Sequence, residues 1–252
     1  MNLCVSQLCA WYEKKDREKP IIFDVNFSLS TGDLCALVGV NGAGKSTTIK
    51  SLVSVINPSS GQIFVDGKEL SANRLEIKKK IGYVADSPDL FLRLTANEFW
   101  ELVATSYDMT NAEVEERLGN LLHLFDFGSH RYEVIDSFSH GMRQKVFVIA
   151  ALLSDPDIWV LDEPLTGLDP QAAFDLKQMM RQHADKGNTV LFSTHVLEVA
   201  EQLCDKVAIL KKGKLIFYGT IEELKGQHPE QSLETIYLGL AGRREEVSPD
   251  AY

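Results

Sequence analysis

One segment restricts the possible folds of this chain more than any other. Residues 39–46 have the sequence G-V-N-G-A-G-K-S, and they directly follow Leu34–Val38, a continuous apolar run. Such a run is typical of a strand buried on both faces of a sheet, and the residues after the segment show a helical pattern through about Ile56. Strand, glycine-rich loop and helix in this order are the context in which the motif binds phosphate.

The residue types of this loop suit a nucleoside triphosphate. Glycines let the backbone wrap closely around phosphate oxygens and point N–H groups at them, and the N-terminus of the following helix adds partial positive charge. Lys45 supplies a full charge for the β- and γ-phosphates, and the Ser46 hydroxyl supplies a ligand for Mg²⁺. The predicted nucleotide-binding residues of the loop are Gly39, Val40, Asn41, Gly42, Ala43, Gly44, Lys45, Ser46 and Thr47.

A second motif adds two carboxylates. Four apolar residues, Ile158–Leu161, predict a buried strand, and Asp162 and Glu163 follow it directly. Ligands of open α/β sheets bind at the carboxyl ends of strands, so we expect both acids near the loop. Asp162 can hold Mg²⁺ through water, and Glu163 can polarise an attacking water. Together the motifs predict a P-loop nucleoside triphosphatase, without excluding a small-molecule kinase or a GTPase.

The rest of the pattern predicts an α/β fold with a mostly parallel sheet. Alternating residues between 21 and 29, with Phe23, Val25 and Phe27 in one phase, predict an antiparallel β-subdomain at the N-terminus. Residues from about 88 to 153 show only helical spacing, which predicts a helical subdomain inserted into the core. We expect one domain over residues 1–228, followed by a C-terminal extension over 229–252.

Charge and composition argue against several classes of protein, although they do not exclude a small basic patch. The formal net charge is −10, which argues against general nucleic-acid binding because that needs a basic face. The four cysteines form no metal-ligand spacing, and Cys35 lies in the apolar run, which predicts a small core residue. No apolar run approaches the ~20 residues that a membrane span needs, so we expect any membrane role to depend on a partner.

A third motif distinguishes among P-loop proteins. Residues 137–145 read S-F-S-H-G-M-R-Q-K, about 20 residues before Asp162. This segment resembles the L-S-G-G-Q signature of the ATP-binding cassette (ABC) family, and the resemblance covers roughly residues 3–228. Ser139 and Gly141 match the signature, whereas His140 and Met142 depart from it. The resemblance implies that Ser139 and Gly141 bind the γ-phosphate of ATP held by a second subunit. Ser139 can equally cap the following helix.

The resemblance assigns further roles around the nucleotide. Asp169, in the segment L-T-G-L-D-P after Glu163, resembles the family's D-loop, and His195 at the end of S-T-H resembles its switch histidine. Tyr12 occupies the place of the aromatic residue that stacks on adenine, with Trp11 as the alternative. Asp86 occupies the place of a glutamine that senses Mg²⁺, and it can bind Mg²⁺ through water.

The resemblance also implies a function. It predicts an ATPase subunit that binds ATP and Mg²⁺, forms a homo- or heterodimer, and drives a separate transmembrane permease from the inner face of the cell membrane. The form S-x-G-M-R and the stretch at residues 232–238 resemble the exporter branch. A soluble ABC-type ATPase, for example in iron–sulfur cluster assembly, is the alternative. A monomeric P-loop kinase needs neither a signature nor a switch histidine.

An apolar loop predicts where such a permease docks. The family resemblance places a groove between the α/β core and the helical subdomain, around residues 86–99. The segment at residues 87–94 is unusually apolar for a loop. Phe91, Leu92 and Leu94 either pack in the helical subdomain, or at least one of them is exposed and anchors a permease helix.

Overall fold

The computed structural model describes residues 2–11, 20–86, 91–226 and 231–240. Within these residues the chain forms ten strands in two sheets, and helices pack against the larger one. The strands are β1 (Asn2–Ala10), β2 (Ile22–Ser30), β3 (Leu34–Val38), β4 (Ser60–Val65), β5 (Lys68–Glu69), β6 (Ile81–Val84), β7 (Ile158–Leu161), β8 (Thr189–Thr194), β9 (Lys206–Lys211) and β10 (Lys214–Thr220). The α-helices are α1 (Lys45–Leu52), α2 (Arg74–Lys78), α3 (Ala96–Ser106), α4 (Asn111–Leu124), α5 (His140–Leu153), α6 (Pro170–Asp185), α7 (Leu197–Leu203), α8 (Ile221–Gly226) and α9 (Leu233–Leu240).

The two sheets have the predicted directions. The larger sheet has the strand order β10-β9-β3-β8-β7-β6. Strands β9, β3, β8, β7 and β6 run parallel, and β10 pairs antiparallel with β9. The smaller sheet, β2-β1-β4-β5, is antiparallel throughout. The predicted α/β fold, with a mostly parallel core and an N-terminal antiparallel sheet, is confirmed.

Strand β3 carries the P-loop at its end and lies between β9 and β8. All five of its residues are buried. On one face of the strand, Leu34, Ala36 and Val38 pack into a hydrophobic core that includes residues of the inserted helices. On the other face, Cys35 and Leu37 pack into a second core that includes residues of the smaller sheet. Because both faces are covered, the strand needs apolar residues at every position rather than at alternate ones.

The predicted alternation in β2 is correct over only part of the strand. Val25–Leu29 alternates between buried and exposed residues, but Ile22 is buried and Phe23 is only partly buried, which reverses the predicted phase. The cause is Asp24, whose left-handed backbone (φ 48°) coincides with a break in the pairing register between β1 and β2. Such a bulge adds one residue to one strand, so the residues beyond it change face.

Helix α1 is shorter than the pattern predicted. It ends at Leu52 instead of about Ile56. Ser54 has a left-handed backbone (φ 58°), which the helix cannot continue. The N–H groups of Val55 and Ile56 donate to the carbonyl of Lys50 at 2.8 and 3.0 Å, so the chain closes into a turn.

Helices occupy the interval between β6 and β7, as predicted. Thr95 and Thr110 begin α3 and α4 with capping boxes, in which each threonine side chain and a glutamate three residues later satisfy each other's backbone N–H groups. Trp100 of α3 is fully buried, and its Nε1 donates to the carbonyl of Val146 in α5 at 2.9 Å. This packing joins the inserted helices to α5, which begins within the predicted signature.

No helix in the described part of the chain is both long and apolar enough to cross a membrane.

Candidate functional site

The P-loop leaves β3 and enters α1 at the carboxyl edge of the larger sheet. A Cβ atom at Gly39 would lie 2.7 Å from the carbonyl oxygen of Leu210, so the loop packs too closely on β9 for any side chain. Gly44, the residue before α1, has φ 108°, and a Cβ there would lie 2.6 Å from Ile22. Backbone shape and close packing therefore require glycine at both positions.

Lys45 points back along the loop from the first turn of α1. Its side chain is 5% exposed, and its Nζ donates to the carbonyl oxygen of Gly39 at 2.7 Å. The same Nζ lies 3.0 Å from Oε1 of Glu163, so the lysine and the glutamate form an ion pair. An ammonium group has three donors, and a phosphate that replaced the carboxylate would keep the charge of Lys45 compensated.

Asp162 has an arrangement that fits a divalent cation. The residue is fully buried, and its Oδ1 accepts hydrogen bonds from Ser46 Oγ at 3.1 Å and Ser193 Oγ at 2.7 Å. Its Oδ2 is buried and has no hydrogen-bond partner among the described residues. An unpaired buried carboxylate oxygen is costly, and Mg²⁺ prefers oxygen ligands of this kind. Ser46 and Asp162 thus bring two predicted metal-binding oxygen groups together.

Glu163 is held by its backbone as well as by its side chain. Its φ is 48°, an uncommon conformation for a residue with a side chain. Its N–H donates to Ser193 Oγ at 2.8 Å, and its Oε2 lies 2.9 Å from Nδ1 of His195. His195 follows β8, the neighbour of β7, and about half of its side chain is exposed. The structure therefore brings together both predicted catalytic residues, Glu163 and His195, beside Lys45.

Asp86 lies close enough to this group to sense its charge. It follows β6 by two residues, at the same edge of the sheet. Partial burial, together with the negative charges of Asp162 and Glu163, raises the pKa of Asp86 above its ordinary value. An extra carboxylate here increases the demand for a cation, whereas the glutamine expected at this place carries no charge.

The signature segment forms the start of α5. Ser139 is the N-cap, and its Oγ accepts from the N–H of Met142 at 3.3 Å. His140 Nε2 lies 3.2 Å from the carbonyl oxygen of Thr166, and a Cβ at Gly167 would lie 2.8 Å from His140 Cδ2. The histidine therefore joins the signature to the D-loop of the same chain, an arrangement that the sequence did not reveal.

Ser139 and Asp169 make their hydrogen bonds at the starts of their own helices. Asp169 is the N-cap of α6 and accepts from the N–H of Ala172 at 2.9 Å. Within the described residues, no hydrogen bond or ion pair joins Ser139, Gly141 or Asp169 to the P-loop. Tyr12, predicted to stack on adenine, lies outside the described residues, and its alternative, Trp11, is half-buried just after β1.

Two residues that the sequence analysis did not assign contact the site. Ser193 contacts Asp162 and the backbone of Glu163, and its only sequence signal is its place at the end of a buried strand next to His195. Tyr237 of α9 accepts a hydrogen bond from the N–H of Val40 in the P-loop at 3.2 Å. No local pattern indicates that contact, because 197 residues separate its partners.

Comparison with known proteins agrees with this geometry. A family model described as "ABC transporter" matches residues 22–166. The ABC-type transporter ATP-binding protein EcsA of Bacillus subtilis (strain 168) is 35% identical over 240 residues, which cover 94% of this chain and 96% of that protein. The Nod factor export ATP-binding protein I of Rhizobium leguminosarum bv. viciae is 33% identical over 201 residues, 80% of this chain and 65% of that protein.

A solved structure shows the same fold along nearly the whole chain. It is described as the ATP-binding subunit of an ABC transporter, is 35% identical, and aligns with a TM-score of 0.88 over 95% of this chain and 99% of that one. The family match at residues 22–166 covers the P-loop, the signature and the acidic motif together. The chain therefore belongs to the ABC transporter family, as an ATP-binding subunit with an ATPase domain.

Proposed function

We propose that this chain is the ATPase subunit of an ABC exporter that works as a dimer and drives a separate transmembrane permease. One observation carries the catalytic part of this proposal. Lys45, Glu163 and His195 form a continuous chain of contacts of 3.0 and 2.9 Å at the edge of the sheet, next to the buried Asp162. Export is supported by the similarity to the Nod factor export protein.

The roles follow from the chemistry of each group. Lys45 and the P-loop amides hold the phosphates. Ser46 and Asp162 would hold Mg²⁺, and Asp86 is a further acidic group near them. Bound Mg²⁺ neutralises phosphate charge. Glu163 polarises the attacking water, and His195, 2.9 Å from its carboxylate, keeps that carboxylate oriented.

The ion pair between Lys45 and Glu163 couples ATP binding to the release of the Glu163 carboxylate. The lysine lies 3.0 Å from the glutamate, so phosphates that approach Lys45 compete with the carboxylate. Once the phosphates occupy the lysine, Glu163 keeps its contact with His195 and is free to bind water. Nucleotide binding and preparation of the base therefore occur together.

The signature supports a dimer. Ser139 caps the N-terminus of α5, a helix of 14 residues whose first N–H groups can bind an anion. Among the described residues no hydrogen bond joins Ser139 to the chain's own P-loop, and we infer that the phosphate bound here belongs to ATP held by a second subunit. Asp169 at the start of α6 then lies in the D-loop of the same interface.

A groove between the core and the inserted helices suits a helical segment of a permease. Its volume is about 440 Å³. Apolar residues from both sides line it, namely Val53, Val55, Leu75, Ile81, Tyr83, Phe99, Val103 and Phe147. Lys78 and Lys79 also line it, and Lys79 already pairs with Asp108. An amphipathic helix with an acidic residue facing Lys78 therefore fits the chemistry of the groove. Through this permease the subunit would sit in the cytoplasm at the inner face of the membrane.

Phe91 extends the apolar surface near that groove. Its side chain is 48% exposed, and its ring packs on Phe99 with centroids 5.6 Å apart. Leu92 and Leu94 are partly buried against the core. Of the three candidates Phe91 is therefore the one that we propose as the anchor. Residues 87–90 of the same predicted segment lie outside the described residues.

The variant Glu163→Gln tests the catalytic and dimer parts together. The amide keeps the shape of the side chain but loses the charge that polarises water, so the variant should bind ATP and hardly hydrolyse it. It should then accumulate an ATP-bound dimer in gel filtration with Mg-ATP. A monomer at saturating ATP would contradict the dimer, and wild-type turnover would contradict the role of Glu163. In the dimer-forming variant, a further Ser139→Ala substitution should reduce the dimer fraction.

A further inference from the structure

The C-terminal helix reaches the P-loop through one side chain. Tyr237 of α9 is only 6% exposed, and its hydroxyl oxygen accepts a hydrogen bond from the N–H of Val40 at 3.2 Å. Leu233 and Ile236 on the same helix are buried, and α9 packs on α7, the helix that begins two residues after His195. The apolar face of α9 therefore holds the phenol against the nucleotide site.

The contacted N–H belongs to the peptide group that positions Lys45. The peptide bond between Gly39 and Val40 contains the Val40 N–H and the Gly39 carbonyl, and this group is planar. Tyr237 accepts from its N–H at 3.2 Å, while Lys45 Nζ donates to its carbonyl at 2.7 Å. A single rigid plane thus connects the phenol to the ammonium group.

This connection adds to the contacts that hold the peptide between Gly39 and Val40. On one side, the N–H of Gly39 donates to the carbonyl of Thr194 at 3.4 Å, and on the other, the carbonyl of Val40 accepts from the N–H of Ala43 at 3.0 Å. Hydrogen bonds to both ends of the peptide group fix its rotation. The acceptor at its N–H and the donor at its carbonyl also polarise the group in the same sense, so each bond strengthens the other. The carbonyl that holds Lys45 consequently keeps one direction.

We propose that Tyr237 is a positioning residue for Lys45, and that the C-terminal extension in this way completes the phosphate site. The inference rests on the proposed phosphate-binding role of Lys45. It assigns to α9 a part in ATP affinity, because the helix is the element that brings the phenol to the P-loop. It assigns no chemistry to the tyrosine itself.

The variant Tyr237→Phe tests the inference in the full-length chain. It removes the acceptor and preserves the apolar packing of the ring. We expect the Kd for ATP to rise about 3- to 10-fold, since a flexible lysine loses more freedom on binding phosphate, while kcat at saturating ATP changes less than about twofold. Wild-type affinity for ATP in a folded Tyr237→Phe protein would overturn the inference.

Tyr107→Phe is the matched control. Tyr107 is a partly buried tyrosine whose hydroxyl, like that of Tyr237, bonds to a backbone group, in this case the carbonyl of Ile81 at 2.9 Å. That carbonyl is at the first residue of β6, the end of the strand away from Asp86. A purely structural role for both phenols would lower the Tm of both variants and leave ATP affinity unchanged in both, which would also overturn the inference.

The variant Lys45→Ala separates the inference from the function on which it rests. If Lys45→Ala keeps wild-type affinity, the proposed phosphate site fails. If Lys45→Ala is impaired and Tyr237→Phe is not, only the positioning role fails. If Tyr237→Phe weakens binding equally in the Lys45→Ala background, the tyrosine acts by another route, and positioning through Lys45 is refuted. A loss that disappears in the double variant supports it.

Discussion

Ser193 links both carboxylates of the site, so its removal should affect stability and catalysis together. Its hydroxyl donates to Asp162 Oδ1 at 2.7 Å and accepts from the N–H of Glu163 at 2.8 Å. Ser193→Ala deletes both bonds within a fully buried strand end. It leaves the Asp162 carboxylate with Ser46 as its remaining described donor.

The expected magnitude follows from the two partners. A hydrogen bond to a charged group contributes about 1.5–3 kcal/mol and a neutral one about 0.5–1.5 kcal/mol, so the free energy of unfolding should fall by about 2–4 kcal/mol. For a chain of this size that corresponds to a fall in Tm of roughly 5–15 °C. The backbone of Glu163 loses the bond that supports its left-handed turn, and misplacing the base should lower kcat on the order of 10- to 100-fold.

Denaturant unfolding and steady-state ATPase assays measure the two effects. Ser51→Ala is the control, because Ser51 is equally buried and its hydroxyl donates to the carbonyl of Thr47 within α1. That carbonyl also takes part in the helix, so the control should cost less stability and leave kcat nearly unchanged. A Ser193→Ala protein with wild-type kcat, or a loss of stability no greater than that of Ser51→Ala, would refute the reasoning.

Three further predictions test other parts of the structure. Asp86→Asn should raise the Tm of the nucleotide-free protein in Mg²⁺-free buffer near neutral pH, because the raised pKa of Asp86 in the folded state makes its ionised form destabilising. The gain in Tm should shrink as the pH falls toward 3.8, the ordinary pKa of an aspartate, and a gain that does not depend on pH would contradict the assignment. Gly167→Ala should lower the free energy of unfolding by about 1–3 kcal/mol, because φ at this residue is 74° and the new Cβ would clash with His140. The control is Gly119→Ala, where the added Cβ has no neighbour within 4 Å, and it should be neutral or stabilising by about 0.5–1 kcal/mol. Phe91→Ser should preserve the basal ATPase activity of the isolated subunit and weaken its co-purification with the permease. Loss of the fold would show that Phe91 is a core residue, and unchanged assembly with the permease would refute the proposed contact.

The sequence alone was sufficient to predict the fold class and to predict which charged side chains lie close together at the sheet edge. Both depend on short local patterns, since the P-loop follows Leu34–Val38 and the two acids follow Ile158–Leu161. Parallel strands that end in functional residues place those residues at one edge of the sheet. The order of motifs along the chain was therefore enough to predict that Lys45 and Glu163 lie near each other.

Local patterns failed where a single residue changed the backbone. The left-handed conformation of Asp24 reversed the predicted phase of β2, and that of Ser54 ended α1 early. Neither residue type requires this conformation, so the spacing of apolar residues alone does not reveal it. The sequence therefore predicted which helices and strands form better than it predicted where they end and which residues they bury.

The contacts that tune the site depended on tertiary structure alone. Ser193 lies between the carboxylate of Asp162 and the backbone of Glu163 only because β8 pairs with β7 in one particular register. Tyr237 meets Val40 across 197 residues because apolar burial directs α9 onto the core. A motif specifies which groups can do the chemistry through their type and local spacing, whereas the groups that hold them in place are chosen by packing between distant segments, and this packing leaves no local pattern in the sequence.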